Sequence, residues 1–302
     1  MSKRWLALAA LCAACAFAAP AAAADAAEKI RVILIDGQNN HDWRATTPLL
    51  KKELEATGRF RVDVSSHLKP GDKPGAVETV PFPPDLGKYD VLVSNYNGAP
   101  WPQEFQKQLE GRLKEGKLGL VIVHAANNSF PGWGEYNAMI GMGWRNNKYG
   151  DRLVVDDAGK EKRVPKGAGP GAGHGPQHPF KVTVRDPDHP VTKGMPREWL
   201  HAQDELYQGM RGPAKNVHLL ATAFSDKKYS GTGEHEPMIW TVEYGKGRVF
   251  HTPMGHDLPA LRCLGFVATL QRGTEWAATG KVTLPLPEGF PTAEKTSSLP
   301  AK

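Results

Sequence analysis

The chain has 302 residues, with 38 Lys and Arg against 32 Asp and Glu. Its formal charge of +6 serves ordinary solubility at this length. The basic residues are scattered, with no stripe interleaved with aromatics, which argues against nucleic acid as a partner.

The N-terminus reads as a targeting segment over residues 1–24. Lys3 and Arg4 form a positive region, Trp5 to Phe17 an apolar one, and Ala22-Ala23-Ala24 a small-residue cleavage site before Asp25. The apolar stretch is too short and alanine-rich to span a bilayer. Neither Cys12 nor Cys15 follows a leucine-small-small run that would direct lipidation. The expected mature protein is therefore periplasmic or secreted after cleavage near Ala24, and does not span a membrane. Loss of Lys3 and Arg4 lowers the charge from +6 to +4, and Cys263 is left as the sole cysteine. No intramolecular disulfide can then form, so a buried core must carry stability. Cys263, among Leu261, Leu264 and Phe266, reads as a small core residue.

Residues 25–284 read as one α/β domain, followed by a Pro-rich surface tail over 285–302. The apolar run Ile30 to Ile35, closed by Asp36-Gly37, predicts a buried parallel strand. Thr47-Pro48 predicts an N-cap and first helical position, with the helix stopping at Gly58. Phe60 to Val64 predicts a strand, 66–87 an irregular connection, and Tyr89 to Val93 a third strand. Trp101, Phe105, Leu109 and Leu113 recur every four residues, which predicts a helix ended by Gly116. Leu118 to His124 predicts a fourth strand. Strands alternating with helices predict a doubly wound, mostly parallel sheet of flavodoxin-like type, whose ligand site lies at the carboxyl ends of its strands.

A long insertion follows the fourth strand over 125–178, with a Gly-Pro-Gly-Ala-Gly-His-Gly-Pro tract at 169–176. Irregular segments of that length inside a domain are usually functional. Trp133, Trp144 and Tyr149 argue that it is ordered. Further strands are predicted at Phe180 to Val184, Val217 to Ala221, Met238 to Val242 and Arg248 to Thr252. Gly245-Lys-Gly247 reads as a hairpin turn between the last two, and Leu258 to Ala278 as one closing helix.

Four polar clusters fall where strands should end: Asp36 to Trp43 with Gln38, His41 and Asp42; Asn95 to Gly98 with Asn97; His124 with Asn127 and Asn128; and Gly255-His256-Asp257. Turns favour Asn, Gly and Asp but do not need histidine three times. Trp199 to Tyr207 adds His201, Asp204 and Glu205. If that stretch is helical, His201 and Glu205 share a face at i,i+4. Paired acid and imidazole suit proton transfer or a divalent ion. Glu234-His235-Glu236 offers similar ligands or a solvated turn. Trp43, Trp101, Trp133 and Trp144 could stack on sugar faces or pack in the core, while Asn and Gln amides can read hydroxyls.

Taken together, Val32 to Gly37 with His41-Asp42-Trp43, Val121-Ile-Val-His124-Ala-Ala-Asn127-Asn128, His201 with Asp204-Glu205-Leu-Tyr207, and Gly247-Arg-Val-Phe with Gly255-His256 resemble the trehalose-utilisation (ThuA-like) family. The resemblance implies the fold of class I glutamine amidotransferases. In those enzymes a Cys nucleophile sits on an elbow after the central strand. That elbow falls here at His124-Ala125-Ala126, without a cysteine, so glutamine hydrolysis is not expected.

The resemblance implies a saccharide or 3-keto-sugar ligand. The first reading is a sugar-active enzyme performing hydrolysis or isomerisation, with His124, His256, Asp204 and Glu205 catalytic. Gln38, His41, Asp42, Trp43, Asn97, Asn127, Asn128, Trp144 and His201 would then contact substrate. No cofactor is certain, and a divalent metal bound by some of His41, His124, Asp204 and His256 stays open, as does oligomeric state. The alternative is a non-catalytic carbohydrate-binding protein using a degenerate amidotransferase cleft.

Overall fold

In the computed structural model, which describes residues 28–300, β1 spans Ile30–Asp36. The targeting segment expected over 1–24 lies outside the described residues. Along β1, Val32 and Leu34 enter one core cluster while Ile33 and Ile35 enter another. A strand covered on both faces needs an apolar run, which Val32 to Ile35 supply. In chain order the next elements are α1 (Trp43–Glu55), β2 (Phe60–Ser66), β3 (Val91–Ser94), α2 (Gln103–Lys114) and β4 (Gly119–Val123). Then come α3 (Gly134–Ile140), β5 (Arg152–Val155), β6 (Glu161–Val164), β7 (His178–Val184), β8 (Glu198–Asp204) and β9 (Val217–Phe224). β10 (His235–Tyr244), β11 (Gly247–Thr252), α4 (Leu258–Arg262) and α5 (Leu264–Thr279) complete the order.

One sheet runs β2-β1-β3-β4-β11-β10-β9-β7-β8. From β2 to β11 every pairing is parallel, in the 2-1-3-4 order of flavodoxin-like sheets. From β11 onward every pairing is antiparallel, and the β5–β6 hairpin branches from β10. The sheet is therefore doubly wound in one half, while the expectation of a mostly parallel sheet fails for the other. The predicted hairpin at Gly245-Lys-Gly247 joins β10 to β11. Helix α5 lies so close to β4 that a Cβ on Gly119 would stand 2.4 Å from the Ala277 carbonyl oxygen.

Four local expectations are corrected. Helix α1 begins at Trp43 because the Asp42 carboxylate caps it, accepting from the Ala45 amide at 3.2 Å. Thr47 and Pro48 therefore lie inside the helix. The stretch at 199–207 is not helical: Glu198–Asp204 is a strand paired with β7, so the i,i+4 relation of His201 and Glu205 does not arise. The closing helix is broken at Cys263, which has extended backbone (φ −57°, ψ 123°). There the tail intrudes: the Leu264 amide donates to Ser297 O and the Leu299 amide to Arg262 O, both at 2.8 Å. The tail is thus partly built into the fold, with Leu286 and Phe290 packed on the core.

Both outer edges of the sheet are covered. Beside β2, the Val80 amide donates to Val64 O at 2.8 Å from within the irregular 66–87 connection. Beside β8, the Leu200 amide donates to Thr292 O at 2.7 Å. Among the described residues no helix is long and apolar enough to cross a membrane.

Candidate functional site

The carboxyl ends of the parallel strands meet the ends of the antiparallel ones at a single histidine cluster. His41 comes from the loop after β1. Its backbone N–H and ring Nδ1 both approach Asn39 Oδ1, at 3.0 and 3.1 Å. A backbone N–H can only donate, so that atom is an accepting oxygen and Nδ1 of His41 is the protonated nitrogen. His124 is the first residue after β4 and holds a left-handed φ of +46°. Such backbone is uncommon outside glycine and marks the sharp elbow expected at this point. Its Nδ1 donates to Pro253 O at 2.7 Å.

His256 follows β11 in a turn made by Gly255 (φ +106°). The Asp204 carboxylate holds that turn, accepting from the Gly255 amide at 2.7 Å and the His256 amide at 3.2 Å. Glu205, at the end of β8, puts its carboxylate 3.3 Å from His256 Nε2 and 3.7 Å from His124 Nε2. His41 Nε2 and His124 Nε2 are 3.4 Å apart, and the Tyr207 hydroxyl lies 3.1 Å from the latter. One side-chain atom each from His41, His124, Glu205 and His256 lies within 4.8 Å of all the others. A cavity of ≈ 430 Å³ opens beside them, lined by Asn40, Asp42, Thr46, Asp257 and Pro259 together with His41 and His256.

Burial sets the charge states. It depresses the His124 imidazole to about 3, against the partly opposing pull of Asp204. Burial, helped by neighbouring His256, brings His41 down to about 4. Both rings are therefore neutral at pH 7, with their unprotonated Nε2 atoms facing each other. Burial pushes the Glu205 carboxyl upward, partly offset by His256 and His174.

Other expected site residues are placed differently. Asp204 is fully buried and bonds His201 at 2.8 Å, so neither can meet a ligand. Burial alone would depress His201, but the Asp204 bond outweighs it and raises the imidazole to about 9. Asp204 is a positioning residue for the His256 turn, correcting its expected catalytic role, and His201 is its partner. Gln38 is also structural: its side-chain oxygen accepts from the Ala99 amide at 3.0 Å and its backbone oxygen from the Asn97 amide at 2.7 Å. The Asn97 amide in turn bonds Asn40. Asn127 is buried against His251, at 3.2 Å, and accepts from the Trp144 amide. Asn128 is half-buried, and its Oδ1 lacks a protein partner.

Trp43 is turned away from the cluster, buried against Gly75 under the Arg44 guanidinium at 4.2 Å. Trp101 and Trp133 pack with Phe130 on the α2 side. Sugar stacking is excluded for these three by burial or location. Trp144 alone stands at the site, its ring centroid 4.6 Å from that of Tyr207. Glu234 and Glu236 are taken by Arg152 rather than offered as ligands.

The sequence reading leaves two participants unassigned. Tyr207 reaches His124, as above. His174, inside the glycine-rich tract, puts Nε2 3.4 Å from the Glu205 carboxylate. A histidine set among glycines and prolines was the available signal, since such a tract can bring backbone close to a cleft.

The model of the ThuA family, described as trehalose utilisation, matches residues 31–277. A ThuA-like protein from Parabacteroides merdae is 42% identical, with a TM-score of 0.83 over 90% of this chain and 98% of its own. A second ThuA-like protein, from Bacteroides uniformis, is 17% identical with a TM-score of 0.53, over 88% of this chain and 97% of its own, and shows likeness of fold only. No curated protein matches the chain significantly.

Proposed function

The chain belongs to the ThuA trehalose-utilisation family, and from that premise we propose that it is an exported enzyme performing proton-transfer chemistry, hydrolysis or isomerisation, on a saccharide or 3-keto-sugar. One observation carries the reading: three imidazoles and a carboxylate, drawn from both halves of the sheet, converge beside a cavity that His41 and His256 line. The cavity volume falls in the range of roughly 300–1,000 Å³ typical of small-molecule sites. Asn40, Asp42 and Thr46 along its wall supply both donors and acceptors for hydroxyl groups.

The proton-carrying role expected of His124 moves to Glu205. His124 is buried and its Nδ1 is committed to a carbonyl, so it offers a lone pair and no proton. Glu205 is the carboxylate that faces His124, His174 and His256 together. A keto-sugar has acidified hydrogens beside its carbonyl, and a carboxylate within reach of one suffices to take it without a covalent step.

The test is to incubate the purified protein and its Glu205→Gln variant with trehalose, other disaccharides and their 3-keto derivatives. Turnover of one of these, reduced about 10²–10⁴-fold in Glu205→Gln with binding retained, is the expected result. Saturable binding with no turnover in the unaltered protein would instead establish a carbohydrate-binding module.

A further inference from the structure

We propose that His41, His124 and His256 hold a divalent transition-metal ion through their Nε2 atoms, with Glu205 standing beside its open coordination position. Three loops that follow different strands converge on this point, and each brings an imidazole edge-on. The ring centroids of His41 lie 4.7 Å from those of both His124 and His256, and the His124–His256 separation is 5.4 Å.

The protonation pattern of His41 and His124 is that of ligands. His41 gives its Nδ1–H to Asn39 Oδ1, and His124 gives its own to Pro253 O. Fixing the proton on one ring nitrogen leaves the other free to bind a metal, and such outer acceptors orient metal-binding imidazoles. His256 differs: its Nδ1 accepts from the Gln177 amide at 2.8 Å, which puts its proton on Nε2, 3.3 Å from the Glu205 carboxylate. A metal at Nε2 would displace that proton, with the Asp257 carboxylate 3.3 Å from Nδ1 to receive it there.

The result is a close pair of lone pairs with no proton between them. His41 Nε2 and His124 Nε2 stand 3.4 Å apart, and neither can donate to the other. The Tyr207 hydroxyl can satisfy only His124. A cation bonded to both removes this repulsion. Two nitrogens bound at about 2.0–2.1 Å in a tetrahedral site stand roughly 3.3–3.4 Å apart. The left-handed backbone of His124, φ +46°, is local strain located where it aims this ring.

Imidazole nitrogens favour zinc, cobalt, nickel or iron over magnesium and calcium, which take oxygen ligands. Three protein ligands leave a fourth position for water or a sugar oxygen. Glu205 is placed to receive the proton such a water releases. This deepens the reading of the cleft given above and rests on it only for the use made of that water. Metal binding itself is measured without any sugar.

The experiment is metal analysis of the full chain, stripped with chelator and retitrated with Zn²⁺ or Co²⁺. We expect one equivalent bound, a rise in melting temperature, and visible absorption from the Co²⁺ form. His41→Ala and His256→Ala, both at partly exposed positions, should each weaken binding by more than the about 10–100-fold that loss of an outer partner costs. His124→Ala serves only if circular dichroism shows that it folds. Glu205→Gln should keep one equivalent. Failure of the unaltered protein to bind stoichiometric metal, or binding unchanged in folded His41→Ala and His256→Ala, would overturn the proposal. Loss of metal in Glu205→Gln would make the carboxylate a ligand and overturn its place at the open position. Metal bound at one equivalent with no sugar turned over would leave this site standing and remove the catalytic reading alone.

Discussion

Two buried aspartates close strands on opposite halves of the sheet, and their surroundings differ. Asp36 ends β1 in the parallel half, where its carboxylate accepts from the Ser66 hydroxyl and, among the described residues, forms no salt bridge, Arg44 pulling on it only weakly. Burial raises it to about 6, against the weaker pull of Ser66 and Thr47. Asp204 ends β8 in the antiparallel half, where it accepts from His201 and from the amides of Glu205, Gly255 and His256. Burial would raise it too, but the His201 bond and the other donors prevail and hold it below the usual carboxylate range. The same side chain at the same kind of position is thus a poorly compensated carboxylate in one half and an anchor in the other. The geometry of the histidine cluster depends on the second kind, because the turn carrying His256 hangs from Asp204.

This contrast can be broken by substitution. The largest effect is expected from Asp204→Asn, which leaves the buried His201 without its counter-charge. Removing one partner of a buried pair costs about 3–5 kcal/mol, to be read from chemical denaturation. Retained stability would show that the pair is not an anchor.

Asp36→Asn should act in the opposite direction. A carboxyl raised from 3.8 to about 6 in the folded protein binds its proton more tightly there than in the unfolded chain. Its contribution is therefore fully favourable below about pH 4 and is lost as pH rises toward 6. The substitution should add about 2–3 kcal/mol at pH 7 and little at pH 4. Denaturation curves of the two proteins that stay parallel across that window would refute the assignment.

The smallest effect concerns the tryptophans. Trp144→Ala should weaken sugar binding by about 1 kcal/mol, the scale of an aromatic contact, whereas Trp43→Phe should leave binding unchanged in calorimetric titration. Equal losses would mean that Trp43 reaches the ligand after all.

The parallel half was legible in the sequence because burial on both faces writes a continuous apolar run, as in Val32 to Ile35 and Leu118 to Val123. Strand ends there also predict convergence, so His41, His124 and His256 were found. The antiparallel half obeys no such rule. β8 carries Glu198, His201, Gln203 and Asp204, a pattern as polar as a surface helix, and it pairs antiparallel with β7, just after the long insertion. The charges of Glu161, Lys162 and Arg163 hid the exposed strand β6. Trp43 was misread for a different reason: its position beside His41 and Asp42 suggested the cleft, but Asp42 caps α1 and so starts a helix that turns the indole away. Asp204 and Glu205 adjoin in sequence, yet only backbone geometry tells the buried anchor from the carboxylate at the cleft.

The two proline-bearing segments, 66–87 and the chain's final stretch, have a shared consequence. Each makes a backbone hydrogen bond to a terminal strand, Val80 to β2 on one side and Thr292 to β8 on the other. Open rows of amides and carbonyls along such strands template the addition of strands from other molecules, and proline is poorly suited to extend them. The segments that look least structured therefore stand where a strand from another molecule would otherwise have to add beside β2 or β8.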